Sequence, residues 1–481
     1  MAETPVPVHM TAEEFRRHGR AAVDWIADYW GRVESLPVRS PVSPGWVREQ
    51  LPPAPPQAGE SFDAVLADLD TIVVPALTHW QHPGFFAYFP TSTSGPAVLA
   101  ELLASGLSVQ GMLWQTSPAC TELEQHVLDW LAGMLALPEK FTFAGTGGGV
   151  IQDSASSAIL VALVAALHRI SGGEVARDGV ERGRYAVYTS TQANSALEKG
   201  VRITGLGASS IRFIETRPDL SMDPDLLRES MKNDVAQGII PVMVMATVGT
   251  TSTGAVDPVE SIGRICQEFG VWLHVDAAYA GVAAVCPEFR WIHQGVGAYA
   301  DSYATNPHKW LLTAFDCDAC YIADREALVG ALSVLPEYLR NTATDAGAVV
   351  DYRDWQVPLG RRFRALKLWA VIRCYGVEGL RAHLRHSVAL AQEFAAWVSA
   401  DERFELIAPH RLSLVCFRLR GADEPNQRLL ESLNASGRIY LSHTVIRGAF
   451  TLRLAIGGTA TRFEHVAAAW DQISRSADVG E

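Results

Sequence analysis

Charge is scarce in this sequence. Asp, Glu, Lys and Arg make up only 19% of its 481 residues against 48% hydrophobic ones, a balance that points to surface buried in an oligomer, and a homodimer is expected. Basic clusters are missing: the formal net charge is -13 and no run of Lys or Arg interrupts it, which excludes a phosphate backbone as partner, so no nucleic acid is expected. Long apolar runs are missing too. The longest, Ala158 to Leu167, is too short to cross a bilayer, and the opening MAETPVPVHM has no basic region leading into an apolar core, so no membrane partner and a cytoplasmic location are expected. The seven cysteines, at positions 120, 266, 286, 317, 320, 374 and 416, are odd in number and scattered, which argues against a disulfide framework. Cys317 and Cys320 form one C-x-x-C without two further ligands nearby, and no metal site is expected.

The chain is longer than a single hydrophobic core usually serves, so a main domain with smaller ones is the natural organisation. Residues 12–29 place Phe15, Ala22, Val23, Ile26 and the following Trp30 at helical spacing behind Thr11, a suitable N-cap, and predict an amphipathic helix. The Pro-rich stretches PVRSPVSPG and LPPAPPQAG then read as an extended connector, leaving that helix to pack on another subunit. From about Gly95 helical patterns alternate with β-rich runs at 185–190, 239–249 and 271–278, which implies an α/β fold with a mainly parallel sheet covered on both faces. After GRRFRALKLWAVIRCYG a long helix leads into FELIAP, LSLVCFRL and FTLRLAIG, a run of strands that suggests a small α+β domain. The expected division is 1–90, 91–366 and 367–481. No internal repeat is present.

Three segments carry chemistry. In TNPHKW a lone lysine, Lys309, stands among apolar and aromatic residues; desolvation disfavours its ammonium and keeps part of it as the free amine that condenses with an aldehyde. A surface lysine beside a strand is the plainer alternative. In VWLHVDAAYAG an apolar strand stops at Asp276, followed by Ala277 and Ala278. A carboxylate at that depth wants a cation, which a pyridinium nitrogen or an arginine would supply, and the small neighbours leave room for a flat ring. In GTGGGVIQDSASSAILVALVAAL a Gly-rich turn precedes Ser154, Ala155 and Ser156 and an apolar helix, whose free amides suit a phosphate. Such turns are common, and this one matches neither the P-loop nor the dinucleotide fingerprint. The order of the three, with the lysine 33 positions after the acid (309 minus 276), is more telling than any one.

With HPGFFAYFPTSTS, SPACTELE, GGGVIQ, ATVGTTSTGAVDP, HVDAAYAG, NPHKWLL and DYRDWQVPLGRRFRALKLW in this order, the sequence resembles, over nearly its whole length, the aromatic-L-amino-acid decarboxylase family of group II decarboxylases, which use pyridoxal 5'-phosphate (PLP) and have fold type I. The resemblance implies a seven-stranded-type sheet, a homodimer with shared active sites and an aromatic amino acid as substrate. It makes Lys309 the Schiff-base lysine and Asp276 the partner of the pyridine nitrogen. It sets Ala278 against one ring face, Thr251 near the ring hydroxyl, and Ala155, Ser156, Asn306 and His308 on the phosphate. For His308, and equally for His274, a satisfied core histidine is the alternative. Tyr338 would protonate Cα from a mobile loop, or be an ordinary loop tyrosine. Trp80, Tyr88, Phe89, Pro90 and Thr91 would line the substrate pocket, with Gln110 and Met112 reaching across the dimer.

One position departs from the family. Where its members carry a stacking histidine, TQANSALEKG has Asn194, an amide that cannot stack as an imidazole does or titrate near neutrality. This resembles the family's aldehyde synthases, in which the decarboxylated carbanion reacts with oxygen to give aldehyde, ammonia and hydrogen peroxide. Tyr338 argues the other way, since the plant aldehyde synthases replace that tyrosine. The expected product is the amine, with the arylacetaldehyde as the alternative.

Overall fold

The computed structural model describes residues 9–334 and 349–478. Its large sheet has seven strands: β1 (Gly148–Gln152), β2 (Tyr185–Ser190), β3 (Ile211–Ile214), β4 (Ile240–Thr247), β5 (Trp272–Asp276), β6 (Ser302–Thr305) and β7 (Asp318–Ile322), in the spatial order β1-β7-β6-β5-β4-β2-β3. All neighbours are parallel except at β7, which runs against both β6 and β1. The α/β class and the mainly parallel seven-stranded sheet are therefore present. Helices cover both faces, which is why β1, β2, β5 and β7 are buried at every position.

On one face the helix Ala155–Ser171 packs Ala158, Ile159 and Ala162 with Val150, Trp272, Ala304, Cys320 and Ile322 of the sheet. On the other, Leu273, Val275, Ala319 and Tyr321 join a larger core with Leu128 and Leu131 of the helix Pro118–Leu135. The glycines of GTGGGVIQ do not all form the expected turn: Gly148 and Gly149 lie inside β1. A Cβ on Gly148 would sit 2.7 Å from the Phe143 ring, and one on Gly149 3.0 Å from Leu128 and Tyr321, so close packing of the strand demands glycine there.

A second sheet, β8 (Phe404–Leu406), β9 (Leu414–Leu419), β10 (Ser442–Ile446) and β11 (Ala449–Ala455), is antiparallel in the order β10-β11-β9-β8. Two helices that meet at a kink at Gly376 and together span Ala365–Ala400 join the two units, packing Leu368 to Val388 on the large core and Leu390 to Val398 on the small one. The first helix, Ala12–Arg32, forms as expected, with a capping box between Thr11 and Glu14, yet buries none of its residues.

Candidate active site

The parallel strands deliver their ends to one edge of the large sheet, and because β7 is antiparallel its first residue, Asp318, arrives at the same edge. Asp276 closes β5 there, 5% exposed. Its Oδ1 accepts the Ala278 N–H at 3.0 Å. Burial raises its pKa, opposed by the charge of Lys309 and by that hydrogen bond. The Ala278 carbonyl in turn accepts the Asn306 N–H at 3.0 Å, tying the strap after Asp276 to the segment that carries the lysine.

Lys309 stands in the short helix Pro307–Trp310 directly after β6 and is half-buried. Desolvation lowers its pKa below the lysine range, opposed by Asp276 and Asp318. Its Nζ lies 5.7 Å from the centroid of the Phe89 ring. Phe89 stacks on Tyr279 at 3.7 Å, and Tyr279 on Trp310 at 5.3 Å. His308 is buried with both ring nitrogens engaged: Nδ1 accepts the Cys317 N–H at 2.9 Å and Nε2 lies 3.2 Å from the Asn306 amide. Burial holds its pKa down at about 3, so the ring is neutral with its proton on Nε2, and turning the Asn306 amide gives that proton an acceptor. His274 is fully buried, with Nδ1 on the Ser302 hydroxyl at 2.8 Å and Nε2 without a hydrogen-bond partner among the described residues, so it is only half satisfied.

The helix Ala155–Ser171 starts at the same edge, two residues after β1, with Ser154 as N-cap. Its first turn bonds Ser157 and Ala158 back to Ser154, so the amides of Ala155 and Ser156 precede the intrahelical ladder and suit an anion. Asn194 donates from Nδ2 to the Thr251 hydroxyl at 3.2 Å and accepts the Ala196 N–H on Oδ1 at 2.9 Å. Both ends of its amide are thus committed.

Around Phe89, Trp80 stacks on Tyr88 at 5.8 Å and meets Phe85 at 4.4 Å. Tyr88 has φ 54, a left-handed conformation costly for an aromatic residue, and its N–H is held by the Ser442 hydroxyl. Pro90 is buried, and the Thr91 carbonyl accepts from Gln81 at 2.7 Å. Gln110 and Met112 engage the 353–361 segment of their own chain: Gln110 Oε1 accepts the Arg361 N–H and the Met112 carbonyl the Arg353 N–H. Tyr338 lies outside the described residues.

Two residues of this edge escaped the sequence reading. Asp318 is fully buried beside Asp276 and Lys309; its signal was an acid opening an apolar strand, the mirror image of Asp276 closing one, inside a C-x-x-C weighed only for zinc. Arg453 reaches from β11 to the carbonyls of Thr251 and Ser252 at 2.6 and 2.9 Å and to the Ser442 hydroxyl at 2.6 Å. Its signal was a charge in the apolar LRLA. Among the described residues no cluster of His, Cys, Asp and Glu could hold a metal ion, and no helix is long and apolar enough to cross a membrane.

Residues 44–420 match the family model of the pyridoxal-dependent decarboxylase conserved domain. The chain belongs to that family. It is 46% identical to tyrosine decarboxylase 4 of Petroselinum crispum, covering 97% of this chain and 94% of that one. It is 45% identical to phenylacetaldehyde synthase of Arabidopsis thaliana, covering 97% and 96%. The crystal structure of Oryza sativa TDC with PLP and tryptamine superposes with a TM-score of 0.95 at 44% identity, over 98% of this chain and 99% of that one. The enzyme is a PLP-dependent decarboxylase of fold type I. Its residues fit the cofactor: an amine of lowered pKa at Lys309, a buried carboxylate at Asp276 without a cation in hydrogen-bond contact among the described residues, and free helix amides at Ala155 and Ser156.

Proposed function

We propose that this enzyme removes the carboxylate of an aromatic L-amino acid (tyrosine, dopa, phenylalanine or tryptophan) to give the aryl amine and CO2. The observation that carries the reading is the half-buried Lys309 amine set between Asp276 and the Phe89 ring. When bound to Lys309 through its aldehyde, PLP supplies an electron-poor ring that takes up the pair left by departing CO2. Asp276, with Oδ1 on Ala278, keeps Oδ2 for a cationic N–H and holds a proton there. Ala278 would pack against the ring, Thr251 would lie near its hydroxyl, and the amides of Ala155 and Ser156, with Asn306 and His308, would hold the phosphate. Phe89, Trp80 and Tyr88, with Pro90 and Thr91, form the wall that excludes water from an aromatic side chain. The Tyr338 hydroxyl donates the proton to the carbon that has lost CO2.

The working unit in this reading is a cytoplasmic homodimer. Supporting it, the helix Ala12–Arg32 leaves Phe15, Val23 and Trp30 exposed, and the helix Gly95–Leu107 leaves Leu99, Leu102, Leu103 and Leu107 exposed. A partner over these faces would bring Gln110 and Met112 to the neighbouring substrate pocket.

Asn194 favours a second product. Its amide offers no titratable proton near the substrate, so a carbanion would persist long enough to meet O2; with water, the outcome is the arylacetaldehyde, ammonia, hydrogen peroxide and CO2. Incubating the holoenzyme with each amino acid while following amine, aldehyde, peroxide and oxygen uptake decides between them. Amine without oxygen uptake supports the decarboxylase, and aldehyde with matching peroxide overturns it. In the second case Asn194→His should lower oxygen consumption and raise amine.

A further inference from the structure

Asp318 has no place in the proposed reaction, yet it is the most anomalous ionisable group of the site. It opens β7 directly opposite Gln152 of β1, two residues before the Ser154 cap of the helix Ala155–Ser171. Side chains alternate along a strand, so Asp318 shares the face of Cys320 and Ile322, the face that this helix covers. The acid therefore lies at the sheet edge beneath the helix start, with Asp276 two strands away on the same face. It is 0% exposed, and neither carboxyl oxygen has a hydrogen-bond partner.

A buried carboxylate without hydrogen bonds is not retained as an anion; it takes up a proton instead. The groups facing Asp318 reinforce this. Asp276 from β5 and Asp153 after β1 are acids, the thiols of Cys317 and Cys320 flank it on its own segment, and the helix above packs Ala158, Ile159 and Ala162 on this face and brings no titratable group at its start. Lys309 is the one cation facing it among the described residues. Burial first, then Asp276, raise its pKa well above the carboxylate range, with Lys309 opposing and Asp153 adding. A phosphate seated on the amides of Ala155 and Ser156 would add negative charge to this edge and make the ionised form less tenable still.

Resting on the PLP reading above, we propose that Asp318 is a neutral carboxylic acid that donates its proton in a hydrogen bond to the cofactor's phosphate, so that cofactor retention weakens as pH rises. It is a positioning residue for the cofactor, and its role is visible in binding without turnover.

The test is the affinity of apoenzyme for PLP between about pH 6 and pH 10, read by equilibrium dialysis, for the wild type, Asp318→Asn and Asp318→Ser. A ligand that needs the protonated acid loses about tenfold in affinity per pH unit once the acid ionises. The wild type should show this loss relative to both variants, which carry a donor that cannot ionise in this range. Pyridoxal, lacking the phosphate, should show the same pH profile in all three proteins. Parallel profiles for PLP, or an equal divergence with pyridoxal, overturn the inference. Borohydride trapping on Lys309 in the wild type separates the two levels: without an adduct the PLP reading itself fails, and with an adduct but parallel profiles only the role of Asp318 does.

Discussion

Two clusters of buried charge lie on the large domain and behave as opposites. Glu124 and Arg361 form an ion pair with side chains 2% and 1% exposed. Glu124 Oε1 also accepts the Ile151 N–H at 2.7 Å, while Arg361 reaches the Ile151 carbonyl at 3.0 Å and Gln356, and covers the Tyr352 ring at 4.7 Å. Asp276 and Asp318 are buried beside the half-buried Lys309 but incompletely paired, with both oxygens of Asp318 unbonded. The first cluster clamps β1 and leads straight into the helix at Ala155, so it is scaffold. The second keeps unsatisfied groups at the sheet edge for a ligand to satisfy. Between these two clusters, the matched charges serve structure and the groups left wanting serve chemistry.

The sharpest way to break this comparison is Lys309→Ala, expected to reduce turnover by more than roughly a thousandfold and to abolish borohydride trapping, with the fold intact by circular dichroism. Arg361→Met should do the reverse. Stranding Glu124 should cost about 3–5 kcal/mol of stability, read as a large fall in melting temperature, while the pair Glu124→Gln with Arg361→Met, which keeps an acceptor for Ile151, should recover most of it. Asp276→Asn should lower turnover by about a hundredfold, since an amide cannot hold the cationic nitrogen. It should leave the melting temperature of the apoenzyme unchanged or raised, because a poorly paired buried charge is gone. A fall like that of Arg361→Met would erase the distinction between the clusters.

A smaller effect concerns pH. Burial lowers His274 and His308 from 6.5 to about 3. The unfolded chain protonates them near 6.5 and the folded one only near 3, so their contribution is intact above pH 6.5 and is lost as pH falls through that interval, by about 1.4 kcal/mol per pH unit for each. Asp276 and Asp318, raised by burial, bind protons in the folded state first and pull the other way. His274→Asn should therefore flatten the acid limb of a stability profile by one histidine's share, and an unchanged slope would show that the ring already carries its proton in the fold.

How much of this was legible in the sequence follows from how local each signal is. Lys309 and Asp276 could be read because each breaks an apolar run in its own segment, and the strands at 185–190 and 239–249 because full burial writes itself as continuous hydrophobicity. The sheet order could not be read from spacing, because β6 and β7 are four and five residues long and β7 reverses direction. Gly148 and Gly149 looked like a turn because the reason for them, the bulk of Phe143, Leu128 and Tyr321, comes from distant segments. Arg453 was invisible for the same reason: the carbonyls it grips are 202 and 201 residues away.

The rings of Phe89, Tyr279 and Trp310 make a column whose middle member is fastened to the small unit, the Tyr279 hydroxyl lying 2.6 Å from that of Ser413. At its far end a Cβ on Gly457 would come within 3.2 Å of Trp310, so the column has no slack to retreat into. In the proposed pocket, differences in girth between a phenol and an indole would then be absorbed at the open end, where Trp80 and Tyr88 are 36% and 50% exposed. If these residues line the proposed substrate pocket, breadth of appetite among amino acids would be tuned at those two side chains, with the column setting a fixed depth.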